Sequence, residues 1–211
     1  MINYNLLDSL ASMAIMIPSF LIALSVHEFS HAAMAYFLGD DTAKKQGRLT
    51  LNPLVHLDLF GFIFLVLFRI GWAKPVPFNT SNFKHPKLYA ILTAMAGPFS
   101  NFVLAYLFLI CMKFLPFFNL SIGVLKTFMQ LFEIGAYINV MLGVFNFLPF
   151  PPLDGSHLLF AFFYKKFPNF VMWLYHYSMY ILLALFFLPQ TRFFLVKMVL
   201  IVYSFIAKLV L

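Results

Sequence analysis

The sequence predicts an all-α protein that crosses a membrane several times, and three observations lead to this fold class. Of the 211 residues, 63% are hydrophobic and only 10% are charged, whereas a soluble domain carries about 25% charged residues. The mean hydropathy is +0.92. Several charge-free runs reach the length of about 20 residues that a membrane-spanning helix needs. A water-soluble domain and a disordered chain are therefore both excluded.

Five apolar segments are long enough to span a bilayer. The predicted spans are 9–38, 88–115, 127–149, 168–188 and 193–211. A sixth apolar stretch, Leu59 to Phe68, has only ten residues between charged neighbours. That length is short for a span and more typical of a re-entrant or interfacial segment. We therefore expect a single integral membrane domain over residues 1–211.

The polar connection between the first two spans, residues 39–87, is predicted to hold extended structure. Polar and apolar residues alternate over 48–51 (RLTL), a pattern that predicts a short strand. Prolines restrict residues 74–79 to extended or edge structure.

Lysine and arginine are unevenly distributed between the two ends of the predicted spans. The connections 39–87 and 150–169 contain nine of them, against four on the opposite side. Such an excess marks cytoplasmic loops, so this side is predicted to be cytoplasmic and the N-terminus to face outward. The net charge of +7 then needs no nucleic-acid partner.

Three polar residues late in the first span, His27, Glu28 and His31, form an H-E-x-x-H pattern. A charged side chain at mid-membrane costs about 2.5–3.5 kcal/mol, so such residues are candidates for function. Residues four apart lie on one face of a helix, which lets both imidazoles face one metal ion with Glu28 beside it. This arrangement is used to bind zinc with a glutamate as general base. The alternative is a pair of core histidines bonded to backbone or to Glu28.

Asp154 closes another apolar run, where a carboxylate needs a cation or hydrogen-bond donors. Three prolines within 149–152 end the preceding helix and force an extended turn. Catalytic zinc has three protein ligands and one water, so Asp154 is the predicted third ligand beside His27 and His31. The alternative is that Asp154 caps a helix starting at Ser156.

With these residues the sequence resembles the site-2 proteases, a family of intramembrane zinc metalloproteases. The resemblance rests on H-E-x-x-H at 27–31 and on N-x-x-P-x-P-x-L-D-G at 146–155, with weaker support from AGPFSN at 96–101. The stretches 47–53 and 71–79 resemble the compact bacterial and archaeal branch, which lacks a PDZ domain.

This resemblance implies a catalytic core within about 9–155 and further helical segments in 156–211. Its three core helices are 9–38, 88–115 and 127–149, with about two or three more membrane helices behind them. A membrane-associated β-hairpin within 39–87 is implied to pair with the substrate as an added strand. The resemblance also implies one catalytic Zn²⁺, a transmembrane protein or peptide as substrate, and a bacterial or archaeal cell membrane as the location.

In this family Glu28 acts as the general base, and an asparagine at the position of Asn146 binds substrate or the developing oxyanion. An interhelical hydrogen bond is the alternative role for Asn146. The zinc motifs lie towards the cytoplasmic ends of their helices, so water access is shortest from that side.

A metal-ion transporter or channel would also use intramembrane His and Asp residues, although no second relay of carboxylates crosses the membrane. A non-catalytic scaffold would have no need of Glu28. The sequence does not indicate an oligomeric state.

Overall fold

The computed structural model describes residues 6–68 and 71–210, except for the side chains of residues 6–12 and 68. Over this range the chain is helical, as the sequence predicts. The helices are α1 (Leu6–Phe37), α2 (Thr42–Lys45), α3 (Pro53–His56), α4 (Leu59–Phe68), α5 (Pro86–Phe114), α6 (Ile122–Asn146), α7 (Ser156–Phe163), α8 (Pro168–His176), α9 (Ser178–Phe187) and α10 (Pro189–Val210).

Within the described residues, four helical stretches are long and apolar enough to cross a membrane, and they correspond to four of the five predicted spans. They are Met13–Phe37, Pro86–Phe117, Ile122–Asn146 and Pro189–Val210. The remaining predicted span, 168–188, is broken into α8 and α9, which bend by 58° and pass the same test only as a pair. At the break the Ser178 hydroxyl donates to Tyr175 O over 2.8 Å, and such local bonds compete with the helical ladder.

The predicted β-hairpin is not supported in the part of residues 39–87 that the structure describes. A single antiparallel bridge joins Leu57 to Ala73, outside any strand. Residues 48–51 form no strand because their polar groups bond elsewhere: Thr50 O accepts a 2.7 Å hydrogen bond from His56 Nε2. The apolar stretch 59–68 is the helix α4. Ten residues rise about 15 Å, half of the bilayer core of about 30 Å, so α4 alone does not cross it.

An extended segment, residues 73–79, lies against α1, and we call it the strap. Pro75 and Pro77 keep it extended because a proline has a fixed φ and no amide hydrogen. At its start Lys74 N donates to His56 O over 2.9 Å. At its end Asn79 N donates to Asp40 Oδ2 over 2.7 Å. The strap is thus fixed at both ends to the connection that follows α1.

Helices α1, α5 and α6 pack against one another as an inner trio, with small residues at their contacts. Ala23, Ala105 and Ala136 are fully buried there. On α6, a Cβ added at Gly143 would lie 2.6 Å from the Phe102 ring of α5, so the ring occupies the space that the glycine leaves. Small residues let helix backbones approach closely in membranes, where association depends on packing. The inner trio carries His27, Glu28 and His31 of the site described next, and Asp154 lies after its last helix, α6.

Candidate metal centre

Helix α1 places His27 and His31 side by side, as the four-residue spacing predicts. Their Nε2 atoms are 3.1 Å apart, and the rings meet edge to face with centroids 4.7 Å apart. His27 is 6% and His31 7% exposed. Two polar rings are thus buried together in an apolar helix bundle.

The turn after α6 brings Asp154 to the two histidines. Its Oδ2 atom lies 3.1 Å from His27 Nε2 and 3.4 Å from His31 Nε2. The turn closes through a 2.8 Å hydrogen bond from Gly155 N to Asn146 O. A Cβ at Gly155 would lie 2.4 Å from Leu148 O and from Phe147 O, so only glycine fits this position. The capping alternative for Asp154 is not adopted, because Gly155 is the N-cap of α7 and no side chain caps that helix.

Helix α5 contacts the other edge of both imidazoles. His31 Nδ1 lies 2.8 Å from the backbone oxygen of Thr93, and His27 Nδ1 lies 2.6 Å from the side-chain oxygen of Asn101. Between these two residues, Gly97 leaves room for the rings: a Cβ there would lie 2.5 Å from His31 Nε2 and 2.7 Å from His27 Cε1. One face of α5 therefore sets the orientation of both histidines.

The hydrogen-bond directions leave three acceptor atoms facing one another. A carbonyl oxygen only accepts, so His31 donates its Nδ1 hydrogen to Thr93 O, and its Nε2 keeps a lone pair. His27 donates Nδ1 to Asn101 in the same way, and Asp154 Oδ2 is buried without a hydrogen-bond donor. With both imidazoles neutral, three lone pairs converge, which is the donor set that binds a metal cation. A tetrahedral zinc with bonds of 2.0–2.1 Å separates its ligand atoms by about 3.3 Å, which matches the spacings of 3.1, 3.1 and 3.4 Å.

Glu28 is buried beside this cluster and is held by the strap. Its Oε2 atom accepts a 3.0 Å hydrogen bond from Val76 N, and the residue is 6% exposed. The guanidinium of Arg48 donates to Lys74 O in the same strap. Burial lowers the pKa of Arg48, and the negative charge of Glu28 opposes this change. The only backbone amide between the two strap prolines therefore faces the glutamate of the H-E-x-x-H pattern.

The side-chain hydrogen bond of Asn146 lies within α6 and does not reach this cluster. Its Nδ2 donates to Leu142 O over 3.1 Å, within α6. The predicted role of Asn146 therefore stays a prediction.

Sequence reasoning gave too little weight to Asn101 and Thr93, which orient the histidines. Asn101 and Asn139 are both fully buried in apolar helices, and an amide side chain in a membrane span is the sequence signal for such residues. Thr93 contacts His31 through its backbone oxygen, which leaves no signal in the sequence. Asn139 on α6 accepts a helix–helix hydrogen bond from Asn101 Nδ2 on α5 over 2.8 Å.

Comparisons with known proteins agree with this site. Residues 121–186 match the family model described as Peptidase family M50. The chain is 42% identical over 158 residues to "Putative zinc metalloprotease YwhC" of Bacillus subtilis (strain 168), a match that covers 71% of this chain and 69% of that protein. The Rip2 protein of Mycolicibacterium smegmatis, which carries the same zinc metalloprotease description, is 31% identical over 146 residues, or 67% of this chain and 54% of its own length. The chain therefore spans about half the length of Rip2. No solved structure matches it.

The helices and the His, Glu and Asp cluster define a membrane metalloprotease. The chain belongs to peptidase family M50, the site-2 protease family, and is a zinc metalloendopeptidase. The resemblance inferred from the sequence motifs is thereby confirmed, as is Zn²⁺ as the cofactor.

Proposed function

We propose that this chain hydrolyses peptide bonds within membrane-embedded proteins, with His27, His31 and Asp154 as the zinc ligands. One observation carries the proposal. Three acceptor atoms converge within 3.4 Å of one another beside a buried glutamate. They lie among helices that are long and apolar enough to span a bilayer.

The chemistry divides between the metal and Glu28. Zinc, when bound, polarises a carbonyl oxygen and lowers the pKa of a water molecule to about 7. Glu28 accepts the proton of the attacking water and delivers it to the leaving amine. A general base of this kind contributes about 10²–10⁴-fold to the rate when it is well positioned. The Val76 amide supports this role because it fixes one carboxylate oxygen of Glu28.

Asn146 is proposed to donate its amide to the substrate carbonyl or to the developing oxyanion. A preorganised side-chain donor in such a position stabilises the charge that forms in the transition state. Because its Nδ2 now donates to Leu142 O, this role requires the side chain to adopt another rotamer when the substrate binds.

A membrane-spanning protein or peptide is the proposed substrate. Its helix has to unwind around the scissile bond, because backbone groups of an intact helix are satisfied internally within the bilayer. The apolar exterior of the helices supports a position in lipid, and we propose a bacterial or archaeal cell membrane as the location.

The active site is proposed to open to the cytoplasmic side. His31 lies six residues before the end of α1, a rise of about 9 Å, and this end of α1 joins the connection rich in lysine and arginine. A labelling experiment in sealed vesicles tests the orientation, because Cys111 is the single cysteine. In a Cys111→Ser background, we expect Lys45→Cys to react only from the cytoplasmic side and Ser121→Cys only from outside. The reverse pattern would contradict the proposed orientation.

The Glu28→Gln variant tests the proposed reaction. We expect it to retain one zinc per chain and to cleave a fluorescent single-span peptide at least about 100-fold more slowly than the parent. Glu133→Gln is the matched control, because Glu133 lies exposed on α6 and its loss should leave cleavage unchanged. Parental cleavage by Glu28→Gln would contradict the assignment. Zinc flux into proteoliposomes that persists in this variant would favour a transporter instead.

A further inference from the structure

We propose that Asn101 is a positioning residue for the zinc site and that Asn139 holds Asn101 in place. Asn101 fixes the tautomer of His27, so that the Nε2 lone pair faces His31 and Asp154. This inference rests on the zinc ligands proposed above. It gives α5 and α6 a part in orienting His27, through Asn101 and Asn139.

Two backbone oxygens determine every hydrogen-bond direction in this network. Asn139 Nδ2 lies 2.8 Å from Gly135 O, and a carbonyl only accepts, so Asn139 turns its Oδ1 atom towards Asn101. Asn101 Nδ2 therefore donates to Asn139 Oδ1 over 2.8 Å, and it also donates to Ala23 O over 3.1 Å. The remaining Asn101 oxygen faces His27 Nδ1 at 2.6 Å. It can only accept there, so the hydrogen of neutral His27 is on Nδ1.

The two histidines differ in how they are held, and this difference makes the role of Asn101 testable. His31 donates to a backbone oxygen, which no side-chain substitution removes. His27 donates to a side chain. Both Asn101 and Asn139 are fully buried, so bulk water does not replace a lost acceptor.

Loss of the Asn101 oxygen changes what His27 offers to a metal. Without an acceptor at Nδ1, the neutral ring gains from placing its hydrogen on Nε2 instead. That hydrogen would then occupy the centre of the site, where the ligand lone pair is needed. Removal of an outer hydrogen-bond partner of a metal-bound histidine costs about 10–100-fold in metal affinity.

The test measures zinc affinity in the full chain in detergent, by competition between the protein and a chelator for zinc alone. All variants are made in the Glu28→Gln background, so cleavage has no part in the readout. We expect Asn101→Leu to weaken zinc binding by about 10–100-fold. Asn101→Asp keeps an oxygen acceptor for His27 but loses the hydrogens donated to Asn139 Oδ1 and Ala23 O, so it should recover part of the affinity that Asn101→Leu loses. Ser100→Ala should be unchanged, because the Ser100 hydroxyl bonds only the nearby Gly97 O.

Parental zinc affinity in Asn101→Leu, or an equal loss in Asn101→Asp, would overturn the proposal. A second measurement is made on the parent and does not depend on whether Asn101→Leu folds. In the zinc-free parent, ¹⁵N spectra of the imidazoles should show His27 protonated at Nδ1, with its signals identified by their absence in His27→Gln. A ring protonated at Nε2 would overturn the proposal whether or not Asn101→Leu folds.

The experiment also separates this inference from the proposed function. If His27→Gln and His31→Gln bind zinc as the parent does, the proposed ligands are wrong. If both lose zinc while Asn101→Leu keeps it, the ligands stand and only the positioning role of Asn101 fails.

Discussion

The Nε2 atom of His27 lies 3.1 Å from the Oδ2 atom of Asp154, and a neutral His27 that donates Nδ1 to Asn101 has no hydrogen to offer this carboxylate. The first residue belongs to α1, and the second follows α6. The contact is unfavourable without a cation, because two acceptors repel each other when they are buried together. Zinc binding and the joining of these two helices are therefore coupled.

The first prediction concerns the carboxylate ligand. Asp154→Ala removes one of three protein ligands, so zinc affinity should fall by more than the 10–100-fold typical of an outer partner, as measured by chelator competition. Asp58→Asn is the matched control, because the Asp58 carboxylate accepts a 2.8 Å hydrogen bond from Gly61 N at the start of α4. Equal zinc affinities for the two variants would remove Asp154 from the ligand set.

The second prediction concerns the space that Gly97 leaves for the imidazoles. A methyl group at this position would lie 2.5–2.7 Å from ring atoms of His31 and His27, so Gly97→Ala should displace them and reduce both zinc affinity and cleavage at least about tenfold. Gly123→Ala, at the start of α6, meets nothing within 4 Å. That control should be neutral or raise the stability by up to about 1 kcal/mol, the helix preference of alanine over glycine. A Gly97→Ala protein with parental zinc affinity and activity would show that the rings are not confined by α5.

The third prediction isolates the strap amide that contacts the general base. Val76→Pro deletes the hydrogen bond to Glu28 Oε2, and bonds to charged groups contribute about 1.5–3 kcal/mol, so kcat should fall roughly 10–100-fold. Zinc affinity should not change, because no proposed ligand is altered. Val76→Ile keeps the amide and serves as the control. If Val76→Pro turns over at the rate of Val76→Ile, the strap does not orient Glu28.

The fourth prediction is that acid weakens the attachment of the strap to Asp40. Burial raises the pKa of Asp40, but hydrogen bonds from Thr42, Asn82 and Asn79 outweigh it and leave the pKa below its usual value. A group with a lowered pKa stabilises the fold above its unfolded pKa of about 3.9, and this contribution is lost as the pH falls through the folded value. Protonation of Asp40 in acid should therefore release the end of the strap.

At neutral pH, Asp40→Asn should mimic this loss of charge. Hydrogen exchange at residues 76–82 should become at least about tenfold faster, since a single bond to a charged group is worth about 1.5–3 kcal/mol. Asp41→Asn is the control, because Asp41 forms an exposed ion pair with Lys45 over 2.9 Å, which contributes little. Unchanged exchange in Asp40→Asn would mean that the strap is held mainly by its other contacts.

Much of this arrangement follows from local patterns in the sequence. The charge-free runs predict α1, α5 and α6, and an apolar segment interrupted by Lys197 and Lys208 predicts α10, because a bilayer requires about 20 mostly apolar residues in each span. The spacing of His27 and His31 places their rings on one helix face whatever surrounds them. The prolines at 149–152 predict that α6 ends shortly before Asp154.

Other features depend on tertiary contacts that leave no local pattern. The side of α5 that meets α1 is decided by packing, so the roles of Thr93 and Asn101 cannot be read from periodicity. The strap is held by single bonds to Glu28 and Asp40, and its prolines predict extended structure but no partner. The break between α8 and α9 has no proline or glycine to mark it.

X-ray absorption at the zinc edge tests the central claim most directly. The full chain should bind one zinc with two imidazole nitrogens and carboxylate or water oxygens at about 2.0–2.2 Å. One imidazole should disappear from the spectrum of His31→Gln, if that variant is loaded at high zinc concentration. A sulfur ligand, or a spectrum that is the same in His31→Gln and in the parent, would contradict a zinc centre formed by His27, His31 and Asp154.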